Sequence, residues 1–159
     1  MLAASASLLN IKIAVLDVSE DAFAKQVISL PAPATPQKLS HIDGSFKYPT
    51  KIKELAATVD VLTVEIEHVD VDALEQVQRS TKVEIHPSPG TIRLVQDKYR
   101  QKEHLKGKGC PISEFVRVDS TVESVTDAAK KLGLPLMLKS RTLAYDGRGN
   151  YVLKGLERT

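Results

Sequence analysis

At 159 residues the chain is long enough for one ordinary domain, or for one small domain and part of another. A 42% hydrophobic share with 26% charged residues of both signs is a core-forming composition and excludes a disordered chain. A net charge of +2 without a basic block argues against nucleic acid as a partner, and no apolar run is long enough to expect a membrane span. The lone Cys110 cannot close an internal disulfide and fits a reducing, cytoplasmic compartment. Neither it nor the four histidines show metal-ligand spacing, so no structural zinc is expected.

In chain order, the alanine-rich start Leu2 to Leu9 lacks the basic leading region of a signal peptide and predicts a short helix ending near Asn10. Ile11 to Leu16, closed by Asp17, is the nearly continuous apolar run of a parallel strand covered on both faces. A helix over Asp21 to Val27 precedes a loop whose Pro31, Pro33 and Pro36 exclude regular structure. Ile42 to Phe46 predicts a short strand, Thr50 to Val59 an amphipathic helix, and Val61 to Ile66 a second buried strand. Val71 to Gln78 is the next helix, and Val83 to Ile85 a strand stopped by Pro87. Thr91 to Gly107 has helical periodicity with a break near Gln96, and Ile112 to Val118 is extended. Asp119 or Ser120 caps a helix that runs to Leu132 and stops at Gly133. Strands alternating with helices predict an α/β fold with a mainly parallel sheet.

The segment Lys139 to Asn150 carries the most chemistry. The apolar run Leu134 to Leu138 delivers Lys139, a loop with Gly147 and Gly149 follows, and Tyr151 to Leu153 resumes the run. Closely spaced glycines let backbone N–H groups approach phosphate oxygens, beside a lysine point charge and the planar fork of Arg148. An ordinary hairpin is the competing reading, since Asp-Gly and Gly-Asn are common turn residues. Glu65 and Glu67, two apart on an expected strand, would leave one face of the sheet near its carboxyl end, where open α/β sheets place ligands. The alternative there is a glutamate paired with a nearby lysine. Lys98, Lys102 and Lys106 share a helix face, as solvated charges also do.

The wording of four ordered segments resembles one family. Leu62-Thr63-Val64-Glu65-Ile66-Glu67-His68-Val69, Pro87-Ser88-Pro89, Thr91 to Tyr99 and Lys139 to Asn150 are similar to the N5-carboxyaminoimidazole ribonucleotide synthetases. These ATP-grasp enzymes of purine synthesis form, in fungi, the front part of phosphoribosylaminoimidazole carboxylase. The resemblance reaches from about Asn10 to the C-terminus. It implies a Rossmann-like pre-ATP-grasp substrate domain over residues 1–90, lacking its first strand, then a linker helix and the opening part of an ATP-grasp domain over residues 91–159.

The resemblance further implies ATP with magnesium as cofactors, and aminoimidazole ribonucleotide and bicarbonate as substrates. Lys98 and Lys139 would contact ATP phosphates, with Ala144, Tyr145, Asp146, Gly147, Arg148, Gly149 and Asn150 as the lid over them. Tyr145, Asp146 and Arg148 would orient substrate or hold a phosphate or carbonate oxygen. Glu67 and His68, with Glu65 beside them, would bind the ribonucleotide. The reaction would be carboxylation of an amine through carboxyphosphate, and the resemblance implies dimerisation, common in the family, for the full-length enzyme.

Two departures from the family stand out. By the resemblance Met1 coincides with the methionine of its Gly-Arg-Met segment, so a sheet without the family's first strand and glycine-rich turn is expected. The chain also stops before the positions expected to bind metal and bicarbonate. A truncated chain with little activity is therefore expected. Another ATP-grasp ligase, a non-catalytic nucleotide-binding module and a plain α/β domain are the competing readings.

Overall fold

A computed structural model describes residues 2–28, 40–144 and 148–156. The expected proline loop around Pro31, Pro33 and Pro36 lies outside these described residues, as do Tyr145, Asp146 and Gly147 of the glycine loop. The chain divides into two compact units, Met1–Arg93 and Leu94–Thr159.

The first unit holds helices α1 (Leu2–Leu8), α2 (Phe23–Val27), α3 (Pro49–Ala56) and α4 (Val71–Ser80), with strands β1 (Leu16–Asp17), β2 (Ile42–Asp43), β3 (Val61–Thr63) and β4 (Glu84–His86). β1 pairs parallel with β2, and β3 parallel with β4. The helix α5 (Pro89–Val95) crosses the division between the units. Pro49 starts α3, where a missing N–H costs nothing. Asp70 caps α4, its carboxylate accepting from the Ala73 amide at 2.9 Å, worth about 1 kcal/mol. Ala73, Leu74 and Val77 on one face of α4 are fully buried against Ile52 and Ala56 of α3, Leu62 of β3 and Ile85 of β4. Burying a leucine or valine in this way contributes about 1.5–3 kcal/mol each.

Two polar devices secure the first parallel pair. The ammonium of Lys25, buried, donates to the carbonyls of Asp17 at 3.0 Å and Ser19 at 2.9 Å and to the carboxylate of Asp43. That uses all three of its donors. His41 accepts from the Val15 amide at Nδ1 (3.1 Å), so its Nε2 carries the hydrogen donated to the Ile28 carbonyl at 2.9 Å.

Both strong strands are shorter than the sequence predicts. β1 begins only at Leu16 because the Val15 amide is taken by the His41 ring and β2 offers a ladder of two residues. β3 ends at Thr63 opposite His86, because the next residue of the partner strand, Pro87, has no N–H to extend the ladder. Glu65 and Glu67 therefore do not stand on a strand. They lie in the bend and turn that follow it, so the expected period-two placement on one sheet face does not hold.

The second unit contains α6 (Lys98–Gly107), α7 (Val122–Leu132) and the antiparallel hairpin β5 (Leu136–Lys139) and β6 (Asn150–Leu153). The expected helical break near Gln96 is present: α5 ends at Val95 and Asp97 caps a new helix. Thr121 caps α7 instead of Asp119 or Ser120. It is the last extended residue, and its hydroxyl accepts from the Ser124 amide at 3.2 Å. Ser124 answers by accepting from the Asp119 amide at 3.0 Å. Gly133, at φ +82°, ends the helix as expected. The segment before α7, expected to be extended, enters neither a helix nor a ladder among the described residues.

Candidate functional site

In the second unit the start of α6 and the end of β5 are bound to each other. The Asp97 carboxylate accepts from the Tyr99 amide at 3.0 Å and the Arg100 amide at 3.1 Å, satisfying donors that a helix start leaves open. The same carboxylate receives Arg141, with Nε at 2.8 and 2.7 Å from its two oxygens and Nη2 at 2.6 Å from Oδ2. Arg141, half-buried, holds the Asp97 carboxyl down at about 2, with the Arg100 and Tyr99 amides adding to the effect. The Arg141 guanidinium also lies 5.7 Å from the Tyr99 ring centre, and Tyr99 meets Phe115 edge-on at 5.5 Å.

Lys98 is joined to the same turn twice. Its amide donates to the Arg141 carbonyl at 3.0 Å, and its ammonium donates to the Ala144 carbonyl. The lysine face of α6 is thus not uniform. Lys102 and Lys106 sit 5.2 and 5.8 Å from the Phe115 ring centre, while Lys98 turns to the loop after β5. Leu143, between the two carbonyls that Lys98 holds, has φ +56°, a left-handed conformation that leucine adopts at a cost.

Lys139 ends β5 opposite Asn150, and the next amide, Ser140, donates to the Gly149 carbonyl at 2.7 Å. Gly149, at φ +69°, is required there: an added Cβ would lie 2.8 Å from the Ser140 Cβ and 3.0 Å from the Ala144 Cβ. Arg148 is exposed in the turn before it. Lys98 and Lys139, with Arg141, line one cavity of about 700 Å³ walled by Tyr99, Phe115 and Met137. Two cations proposed from segments 41 residues apart in sequence therefore share a concave wall.

In the first unit, Glu67 and His68 sit in the turn between β3 and α4, with the Glu67 carboxylate 3.9 Å from His68 Nε2. Leu62 before the turn and Val69 after it are anchored in the apolar core, and the Asp70 amide donates to the Phe46 carbonyl at 3.2 Å. His68 is the more enclosed of the pair, with 16% of its side chain exposed against 36% for Glu67. Glu65 is directed elsewhere, its Oε1 accepting from the Leu2 amide at 3.0 Å at the start of α1.

Sequence reasoning did not select Asp97 or Arg141. Asp97 carried a signal, since an aspartate directly before a helical run is an N-cap. Arg141 carried none, because its partner lies 44 positions away. Among the described residues no group of three or more His, Cys, Asp or Glu side chains is placed to hold a metal ion. No helix among them is long and apolar enough to cross a membrane.

Comparison with known proteins sets this geometry in a family. Residues 1–96 match the ribonucleotide synthetase pre-ATP-grasp domain, and residues 103–159 match the ATP-grasp domain. The chain belongs to the ribonucleotide synthetase pre-ATP-grasp family. The family resemblance read from its motifs and the α/β fold with pre-ATP-grasp and ATP-grasp parts are both borne out.

This pre-ATP-grasp chain is 51% identical over 154 residues to phosphoribosylaminoimidazole carboxylase of Ogataea methanolica, covering 97% of this chain and 27% of that protein. It is 47% identical over 159 residues to the Saccharomyces cerevisiae carboxylase, covering 99% and 26%. It thus spans about a quarter of the length of the curated relatives it matches. Among solved structures, carboxyaminoimidazole ribonucleotide synthase of Aspergillus clavatus complexed with ATP superposes with a TM-score of 0.85 at 43% identity, over 98% of this chain and 38% of that one. The synthase from the same organism with ADP and 5-aminoimidazole ribonucleotide gives 0.82 at 41%, with the same coverage.

Proposed function

We propose that this chain supplies nucleotide and ribonucleotide contacts for ATP- and bicarbonate-dependent carboxylation of aminoimidazole ribonucleotide in purine synthesis. The observation that carries the reading is the shared cavity of Lys98 and Lys139 at the root of a glycine loop. Similarity to synthases solved with ATP, and with ADP and aminoimidazole ribonucleotide, supports the choice of ligands.

In the proposed reaction, a bicarbonate oxygen attacks the γ-phosphorus of ATP, giving carboxyphosphate and ADP. The exocyclic amine then attacks the carboxyl carbon and releases phosphate. Lys98 and Lys139 hold phosphate oxygens and stabilise charge as the phosphoryl group transfers. An ammonium has three donors, so Lys98 keeps its bond to Ala144 and still has two for the nucleotide.

Arg148 supplies a fork for a phosphate or carbonate oxygen, and Tyr145 and Asp146 orient the substrate. Ala144, Gly147, Gly149 and Asn150 bring backbone close to the phosphates. Glu67 and His68 accept and donate hydrogen bonds to the ribonucleotide. Glu65, which bonds the Leu2 amide, supports the start of α1. Magnesium would neutralise phosphate charge when bound, and the described residues place no group of three or more His, Cys, Asp or Glu side chains to hold it.

Thermal unfolding of the chain with Mg-ATP, then with aminoimidazole ribonucleotide, tests the reading. A ligand that binds only the folded state raises the midpoint with concentration. The expected result is a rise with Mg-ATP that is lost in Lys139→Ala, whose exposed side chain leaves the ligand-free midpoint in place. A further rise with aminoimidazole ribonucleotide, but not with glycinamide ribonucleotide, separates this reaction from those of other ATP-grasp ligases. An unchanged midpoint at saturating Mg-ATP overturns the nucleotide assignment.

A further inference from the structure

The Arg141–Ala144 turn is fastened to the start of α6 at three points. The Arg141 side chain lies on the Asp97 carboxylate, the Arg141 carbonyl accepts from the Lys98 amide, and the Ala144 carbonyl accepts from the Lys98 ammonium. Lys139 lies two residues before this turn, on the last rung of the hairpin. The clasp therefore links the lysine at the head of α6 to the lysine at the end of β5.

We propose that Asp97 and Arg141 are positioning residues, setting Lys98 and Lys139 at a fixed separation for the phosphates of one nucleotide. This rests on the nucleotide reading above. The guanidinium is committed on its Nε and one Nη edge to a nearly buried carboxylate, whose Oδ1 also accepts from two helix amides. Bidentate arginine–carboxylate pairing fixes orientation as well as distance, which a lysine cannot reproduce. Leu143 at φ +56° lies inside the clasp, between the two carbonyls that Lys98 holds. Preorganised cations bind a polyanion better than cations that must first be ordered.

A double-mutant cycle on Mg-ATP affinity, read by calorimetric titration of the 159-residue chain, decides the matter. Arg141→Lys keeps the charge but loses the fork, and is expected to weaken binding about tenfold. In a Lys98→Ala background the same change is expected to add less than about twofold, because the effect passes through Lys98. A merely structural role would instead lower the melting midpoint and weaken binding equally in both backgrounds. Should Arg141→Lys not melt cooperatively, Asp97→Asn takes its place, since its amide oxygen can still cap α6.

Wild-type affinity in Arg141→Lys, alongside binding that Lys139→Ala abolishes, overturns the positioning role and leaves the nucleotide reading intact. So does an undiminished loss in the Lys98→Ala background. A folded wild-type chain that binds no Mg-ATP overturns both.

Discussion

Lys98 holds Ala144 through its side chain and Arg141 through its amide, so one residue closes both ends of a four-residue turn. Within this turn Leu143 takes a left-handed conformation, at φ +56°. Leu143 is 77% exposed and contributes little burial in return.

Leu143→Gly should therefore stabilise the chain by about 1 kcal/mol, the penalty a Cβ carries in that conformation offset by the extra freedom of glycine when unfolded. Urea unfolding measures it. A lower midpoint in the variant would show that the leucine side chain contributes more than its conformation costs.

Acid should act on the clasp in a definite window. Asp97 has its carboxyl lowered from 3.8 to about 2 in the folded chain, chiefly by Arg141. The stability this supplies is complete above pH 3.8, falls as pH drops below it, and is gone once pH passes below about 2. A shift of that size corresponds to about 2 kcal/mol. Arg141→Met should bring acid unfolding to a higher pH, read by circular dichroism, whereas an unchanged acid midpoint would remove the pair from the pH dependence.

Gly149→Ala places a Cβ 2.8 Å from the Ser140 Cβ and demands a positive φ of alanine. The bond from the Ser140 amide to the Gly149 carbonyl should weaken, costing about 1–2 kcal/mol of stability. Mg-ATP affinity should fall with it, because Lys139 occupies the adjoining rung. Titration on the folded variant checks this, and wild-type affinity would separate the loop's root from nucleotide binding.

Lys25→Met should cost about 1–2 kcal/mol, since it takes from the carbonyls of Asp17 and Ser19 the donor that a buried ammonium supplies. Denaturant unfolding reads the loss. A neutral result would mean that the methionine's packing balances three lost hydrogen bonds.

Long periodic elements were legible in the sequence: α4, the break between α5 and α6, and the hairpin from Leu136 to Leu153 all lie where apolar spacing places them. The motif segments gave the family. Strand lengths were not legible, because they depend on partners. An apolar run such as Val61 to Ile66 does not show that Pro87, on the neighbouring strand, will stop its ladder at Thr63. Glu65 was misplaced for that reason. Arg141 went unnoticed because an ion pair across 44 positions leaves no local trace, whereas Lys139 was visible from the strand and glycines around it.

In the first unit, no backbone hydrogen bond among the described residues joins the β1–β2 ladder to the β3–β4 ladder; α3 packs on β1 and β2, and its Ile52 and Ala56 join the apolar cluster that covers β3 and β4. Cooperativity between the two ladders must then travel through interlocked methyl groups and not through a continuous row of peptides. Amide protons of Ile42 and Ile85 would exchange with solvent in one shared opening event, and trimming Leu74 in the middle of that cluster would unfasten both ladders together.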